Sequence, residues 1–570
     1  MSLLKSRRNF LETVGFSGTA LAASGWMGAA RAAEGRDADL IVINAKVYTV
    51  DDAMPRAEAF AVRDSKFIAV GSTTDIKSLA GPRTQTIDAK GAAIIPGCID
   101  THNHAPGNTL MYDVLVGNPY EVEFVTIQSI VDKLKAKAAK LPADTWVEGY
   151  FFDDTKVKDN REVNVHDLDK VSTTQPVCVH HRGGHTSYYN SYALKLAGIT
   201  KNTPNMESGT YDKDARGELI GRVTDRARGV FMKVGKHESF TPAQQLERDR
   251  NGLAFISKKF VQYGVTSVCH QGGDIFALQQ VRAAGELKHR VSFETNGDLL
   301  EAQIKTGIQT GYGDEWIRFG ATSEHTVDGS FSERTMAISR PYIGISPPYQ
   351  GNLTETPKDL DEWCERVHRA GIQVNCHANG DVAIDRTLTS YEKAMRAFPR
   401  ADTRPKITHC SIVNPSLLQR IKALNVVPAE FSTYAYYSAD KFHFYGEDFM
   451  KWAMPYRSMI DLGIKPSTGS DFSPGPFAPM MAIQGMVTRK GFNGETWGVN
   501  QKITIDEAIR CSTLYGAYNT HEEKIKGSIT PGKLADFVVL SDDPHAVDIS
   551  KIVNIKAVRT VVGGTTVYQA

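Results

Sequence analysis

No two of the seven cysteines, Cys98, Cys178, Cys269, Cys364, Cys376, Cys410 and Cys511, stand at C-x-x-C spacing. That absence excludes a zinc ribbon or a thioredoxin-type redox site. Several of them lie in apolar runs, where a small thiol packs as core, and no disulfide is expected. An excess of charge of one sign is also missing. The 66 Lys and Arg residues nearly cancel the 65 Asp and Glu residues, for a net charge of +1. Nothing in that balance attracts nucleic acid or an anionic membrane, so neither is expected as a partner of the mature chain. There is no long block of like charge, no low-complexity tract and no simple internal repeat. Beyond the first segment no apolar run is long enough to read as a membrane span.

What is present is an ordinary globular composition, 41% hydrophobic and 23% charged, over 570 residues. That length calls for several domains, or one large domain with attachments. The first residues carry an export pattern. Ser6-Arg7-Arg8-Asn9-Phe10-Leu11 resembles a twin-arginine signal, a mildly apolar stretch runs from Val14 to Ala30, and Ala30-Arg31-Ala32 fits an A-x-A cleavage site. Residues 1–32 are therefore expected to be a signal peptide, with the mature chain periplasmic. An ordinary basic N-terminus or an uncleaved anchor is the alternative.

Strand-like segments occupy both ends of the mature chain: Asp39–Val50 and Lys66–Val70 near the start, and Asp536–Leu540, Ala557–Val562 and Thr565–Tyr568 near the end. They predict a small β-sandwich-like domain assembled from residues 33–91 and 526–570. Between them, strand and helix patterns alternate. Eight strand runs are legible: Ala92–Ile95 leading into Cys98–Thr101, then Val265–His270, Val291–Thr295, Trp316–Gly320, Gln373–His377, Lys406–His409, Val426–Ala429 and Lys465–Thr468. Helical patterns such as Asp359–Ala370 and Pro415–Ala423 separate them. The order predicts an α/β fold, a (β/α)8 barrel over residues 92–525. The first crossover is far too long for one βα connection, so an insertion is expected from roughly residue 105 to 260.

The sharpest chemical signal is Asp100-Thr-His102-Asn-His104, directly after Pro96-Gly97. Residues two apart in a strand point to the same side, so His102 and His104 can face one ion, and imidazole suits zinc, iron or nickel. His377, His409 and Asp471 also fall at strand carboxyl ends, where barrel active sites sit. Each taken alone reads as well as a satisfied core or loop residue. Together, four histidines and an aspartate from four strands describe a two-metal hydrolytic site. Phe431, Tyr434, Tyr436, Tyr437, Phe442, Phe444 and Tyr445 follow the seventh strand and suit either an apolar pocket or a packed loop. Arg222, Arg457 and Lys441 are cations that could meet a substrate carboxylate.

The chain resembles the amidohydrolase superfamily, in its YtcJ-like, amidohydrolase family 3 branch. The motifs that carry the resemblance are Ile95-Pro-Gly-Cys-Ile-Asp-Thr-His-Asn-His104, Arg182-Gly-Gly-His-Thr-Ser-Tyr-Tyr-Asn-Ser191, Asp328-Gly-Ser-Phe-Ser-Glu-Arg-Thr335, His377-Ala-Asn-Gly-Asp381, Thr408-His409, Gly469-Ser-Asp471 and Gly527-Ser-Ile-Thr-Pro-Gly-Lys-Leu-Ala-Asp536. They run in family order over nearly the whole mature chain. The resemblance implies that His102 and His104 bind the more buried metal and His377 and His409 the second. It also implies that Asp471 touches a metal and exchanges a proton with the bound water, and that His185 lies near the substrate. The cofactor implied is a divalent metal, Zn2+ by preference, as one or two ions. Many relatives bridge the two with a carboxylated lysine; here that place holds Glu324, whose two oxygens can serve the same purpose. An interior ion pair is the other reading of Glu324, and His325 would replace it if the register slipped by one.

The activity so implied is hydrolysis of a non-peptide C–N bond in a small amide, formamide, cyclic amide or carbamate, with Asp471 and His185 as catalytic groups. An esterase, lactonase or decarboxylase on the same scaffold, or a non-catalytic exported metal-binding or regulatory protein, are the alternatives. Oligomeric state, including a homo-oligomer, is left open.

Overall fold

The computed structural model describes residues 37–570. The segment expected to act as a signal peptide therefore lies outside the described residues. Two parallel sheets form the centre. One contains Cys98–Asn103 (β1), Val265–Gln271 (β2), Arg290–Thr295 (β3) and Ile317–Thr322 (β4), in that spatial order. The other contains the short strand His325–Thr326, then Asn375–Ala378 (β5), Lys406–His409 (β6), Val427–Phe431 (β7) and Ser467–Gly469 (β8). Every paired neighbour in both sheets is parallel. The sheets meet at both edges through isolated parallel bridges, Ala321 to Gln373 and Asn103 to Phe472. All eight expected strands are present, with ends moved by a residue or two.

Strands β1 and β7 are buried at every residue, as parallel strands covered on both faces must be. The outer helices start where the sequence signals them. Thr356 caps Pro357–Arg369 and Asn414 caps Pro415–Ala423, each with proline at the first turn. In the first of these, Leu360, Cys364, Val367 and His368 form the buried stripe. A fully buried Leu or Val contributes about 1.5–3 kcal/mol there.

The two chain ends share one six-stranded sheet, in the order Thr565–Gln569, Ala557–Val562, Phe537–Leu540, Ala93–Pro96, Lys46–Tyr48, Arg56–Ala57. A four-stranded sheet, Lys66–Gly71, Ala59–Arg63, Leu40–Ile43 and Gln85–Asp88, packs against it through Phe60, Phe67, Ile94, Phe537 and Val561. Ala93–Pro96 belongs to that terminal sheet, and after Gly97 the chain enters β1. A Cβ at Gly97 would lie 2.1 Å from Thr266 Oγ1, so only glycine permits this close crossing. The long first crossover carries a further six-stranded sheet that includes Val147–Phe152, Val177–His181, Thr186–Tyr189 and Leu219–Thr224. The seven cysteines are all buried and unpaired. No described helix is long and apolar enough to cross a membrane.

Candidate metal centre

The six expected ligands converge at the carboxyl ends of the parallel strands. His102 Nε2 and His104 Nε2 each lie 2.9 Å from Asp471 Oδ1. Glu324 reaches all four imidazoles: 3.4 Å to His102, 3.5 Å to His104, 3.3 Å to His377 Nδ1 and 3.4 Å to His409 Nε2. His377 Nδ1 and His409 Nε2 face each other at 3.0 Å. Two donor groups result, His102/His104/Glu324/Asp471 and Glu324/His377/His409, with Glu324 common to both.

The donor set fits divalent ions. Bonds of about 2.0–2.1 Å in a tetrahedral shell place neighbouring ligand atoms roughly 3.3 Å apart. The four Glu324 contacts, 3.3–3.5 Å, have that spacing. Two imidazole nitrogens directed at each other and at one carboxylate oxygen are also a poor arrangement without a shared cation. The register explains the convergence. His409 ends β6 and His377 lies within β5, while His102 and His104 occupy alternate positions at the end of β1. Asp471 donates its backbone N–H to the His102 carbonyl at 2.8 Å.

His409 and Asp471 adopt left-handed backbone, with φ of 76° and 52°, and so does Asp225 at 44°. Each such residue costs on the order of 1–3 kcal/mol and marks a place where geometry is enforced by its surroundings. Electrostatics follow the same layout. Burial penalises the charge on Asp471 and Glu324, but the surrounding imidazoles outweigh it and hold both carboxylates below their ordinary range. Burial opposes a charge on His104 and His377, yet Asp471 and Glu324 raise them to about 9. His409 moves the other way, to about 4, through burial and the neighbouring His377.

His185 joins the cluster from the inserted sheet. Its ring centroid is 5.1 Å from that of His377, and its Nδ1 lies 2.9 Å from Asp225 Oδ1. Asp225 is held in turn by Asn352, which donates to Oδ2 at 2.6 Å. Sequence reasoning missed Asp225, which follows an undistinguished strand. It also gave no role to three acids whose motifs it had in view. Asp100 accepts from Ser470 N, Ser470 Oγ and Asn103 Nδ2, tying β1 to the Asp471 turn. Asp328 accepts from the backbone of Asn379, Gly380 and Ala337, fixing the loop beyond His377; burial raises its carboxyl to about 6. Glu333 accepts from the backbone N–H groups of His185 and Thr186.

Other sequence candidates lie elsewhere or are already engaged. His325 points away from the cluster, 2.7 Å from Glu355 and stacked on Trp363, so the one-residue register slip does not occur. Arg222 pairs with Asp212, Arg457 with Glu507, and Lys441 with Asp153 and Asp154. The aromatic group is chiefly packed core. Tyr434 stacks on Phe431 at 3.7 Å and Phe431 on His409 at 4.2 Å, while Tyr437, Phe442 and Tyr445 are buried.

Comparison with known proteins bears on the whole of this architecture. The model of the amidohydrolase family matches residues 85–568. The chain belongs to the amidohydrolase family. Among curated amidohydrolase-family relatives, it is 27% identical to YtcJ of Bacillus subtilis, which bears an amidohydrolase name, across 92% of this chain and 98% of that protein. It is 25% identical to the N-substituted formamide deformylase of Arthrobacter pascens, across 93% and 98%. A metal-dependent hydrolase of Pyrococcus horikoshii shares the fold with a TM-score of 0.68 at 20% identity, over 90% of this chain and 99% of that one.

Proposed function

We propose that the protein is a metal-dependent hydrolase that cleaves a non-peptide C–N bond, an amide, formamide, cyclic amide or carbamate, in a small molecule. The observation that carries this reading is the single carboxylate, Glu324, within 3.3–3.5 Å of four imidazoles. His102, His104, Asp471 and Glu324 would hold one divalent ion, and Glu324, His377 and His409 a second, with zinc the favoured metal. When bound, such ions supply an acidified water and Lewis acidity toward a carbonyl oxygen.

The chain's own groups supply the rest. Asp471, hydrogen-bonded to His102 and His104, takes a proton from the attacking water and delivers it to the leaving nitrogen. His185, oriented through Nδ1 by Asp225, faces the substrate carbonyl, where negative charge develops. The N-substituted formamide deformylase relative supports the C–N assignment, since its name describes an enzyme of formamides.

Three structural readings belong to the same proposal. The two parallel sheets are the halves of one eight-stranded barrel, joined at the Ala321–Gln373 and Asn103–Phe472 bridges. The described N-terminal strands, with Ala93–Pro96 and the strands of residues 526–570, form a composite β-domain, and the barrel starts at Cys98, later than the expected boundary at residue 92. The mature protein is periplasmic, exported through the signal in residues 1–32. The test of function is a screen of formamides, N-acyl amines, cyclic amides and carbamates with zinc-loaded protein, beside esters and lactones. Turnover of a C–N substrate that Asp471→Asn abolishes supports the assignment; turnover of esters alone, or turnover indifferent to Asp471, refutes it.

A further inference from the structure

Next to the clustered ligands, the two parallel sheets share a layer of hydrogen-bonded polar side chains. An interior walled by parallel strands is ordinarily filled by Val, Ile and Leu. Here Gln271 ends β2, while Glu294 lies on β3, Asn375 on β5 and Lys406 on β6. The last three are buried. Lys406 Nζ donates to Glu294 Oε1 and to the Thr101 carbonyl, both at 2.6 Å. Glu294 Oε2 accepts from Gln271 Nε2 and, at 3.4 Å, from Asn375 Nδ2. Asn375 Oδ1 accepts from Thr408 Oγ1 at 2.8 Å. Thr101 and Thr408 immediately precede His102 and His409, so the layer grips the chain on which those ligands stand. Apolar packing of similar volume often holds a fold as well as a buried ion pair or better, so the pair points to a task other than stability.

The task shows at Glu324. Strand β4 ends at Thr322, and the N–H of Ser323 still donates to the Thr295 carbonyl at 2.9 Å. The N–H of Glu324 donates instead to a side chain, Gln271 Oε1, at 2.8 Å. Ser323 Oγ donates to the same oxygen at 2.7 Å. A backbone N–H can only donate, so the amide oxygen of Gln271 must face Glu324 and its NH2 must face Glu294. The amide thus has one orientation, fixed by Glu294, which Lys406 fixes in turn. A glutamate is shorter than a carboxylated lysine and has fewer rotatable bonds. It has less reach with which to correct a displaced backbone, and its contacts to four imidazoles all lie within 3.3–3.5 Å.

We propose that Gln271, clamped by the Glu294–Lys406 pair, is the positioning residue that aims Glu324 between the two donor groups, so that a short carboxylate reaches both. Gln271 touches no ion itself; it acts through the backbone of Glu324. This rests on the two-ion hydrolase reading and deepens it.

The experiment measures zinc affinity at each site, by competition with a chromophoric chelator, on the metal-stripped full chain. The proteins are the wild type, Gln271→Met, Gln271→Asn and the exchanged pair Gln271→Glu/Glu294→Gln. Loss of a group that supports a ligand costs about 10- to 100-fold in metal affinity. Methionine has the length of glutamine without the acceptor, and asparagine has the acceptor without the length. Each should weaken the second zinc by about that factor, with the first, still held by His102, His104 and Asp471, changed much less. The exchanged pair restores a carboxylate oxygen for the Glu324 N–H and an amide to donate to it, so it should bind both ions nearly as the wild type does. That rescue separates positioning from packing, which the exchange leaves alone. Melting of the metal-free proteins checks folding, and if one single variant fails to fold the other carries the test. Wild-type affinity for the second zinc in the single variants, an equal loss at both sites, or a loss in the exchanged pair as large as in Gln271→Met overturns the positioning role; two ions in the wild type then leave the hydrolase reading standing. A wild-type chain that never holds two zinc ions brings down the bridge and the two-ion reading together.

Discussion

Replacing Glu324 with glutamine removes the one group shared by both donor clusters. The count of ligands sets the expected outcome. Without its carboxylate, the first cluster keeps His102, His104 and Asp471, enough for one ion. The second keeps only His377 and His409, one ligand short of the three that a catalytic site ordinarily uses. Loss of groups that merely support a ligand already costs about 10- to 100-fold in metal affinity, and loss of the ligand itself costs at least that. Glu324→Gln should therefore carry one ion per chain where the wild type carries two, measured by plasma mass spectrometry after dialysis. Turnover should fall at least 100-fold. The amide is nearly isosteric, so the fold and melting temperature of the metal-free protein should change little. Two ions retained per chain in Glu324→Gln, with activity intact, would refute the bridging role and return Glu324 to an interior ion-pair partner.

Asp225→Asn should lower kcat by about 10- to 100-fold with metal content unchanged, because it loosens the orientation of His185 and touches no ligand; reduced metal content would place Asp225 in the metal site. Arg290 binds Asp536 through two bonds, 2.7 and 3.0 Å, in a buried pair between β3 and the segment entering the C-terminal strands. Asp536→Ala should destabilise by about 3–5 kcal/mol, seen in denaturant unfolding, since it strands a buried cation. A third effect concerns pH. His270 Nε2 and His289 Nε2 lie 2.9 Å apart in the interior, and burial lowers His270 from 6.5 to about 4 and His289 as well. The folded chain then binds fewer protons than the unfolded one between pH 6.5 and 4, so stability falls as pH drops through that window. His270 alone accounts for about 3 kcal/mol at 1.36 kcal/mol per pH unit. A His270→Phe variant should show a shallower acid limb in thermal melts, and an unchanged limb would exclude the pair.

The candidate metal ligands other than Glu324 were legible because each sits where two simple patterns cross: an apolar strand run, and a histidine or acid at its carboxyl end. His102 and His104 show this best, since alternation in β1 puts both on one side. Glu324 was legible only against the resemblance, as it follows β4 in a short irregular link with no periodicity of its own. The supporting groups were not legible for a different reason. Asp225 belongs to the insertion, and its meaning depends on how that sheet docks on the two parallel sheets, which no local pattern encodes. Residues 328–334 show the intermediate case: the motif was visible, but Asp328 and Glu333 act by accepting backbone N–H groups from residues about 50 and 148 positions away. The aromatic segment after β7 left a pocket and a packed loop both open, because a run of tyrosines and phenylalanines has the same composition whether it lines a cavity or fills a core.

The most direct test of the account is a crystal structure of the zinc-loaded protein with anomalous data collected at the zinc edge. The account predicts two peaks, one among His102, His104, Asp471 and Glu324 and one among Glu324, His377 and His409. A structure in which zinc sits elsewhere, or in which those six side chains bind none, would contradict it.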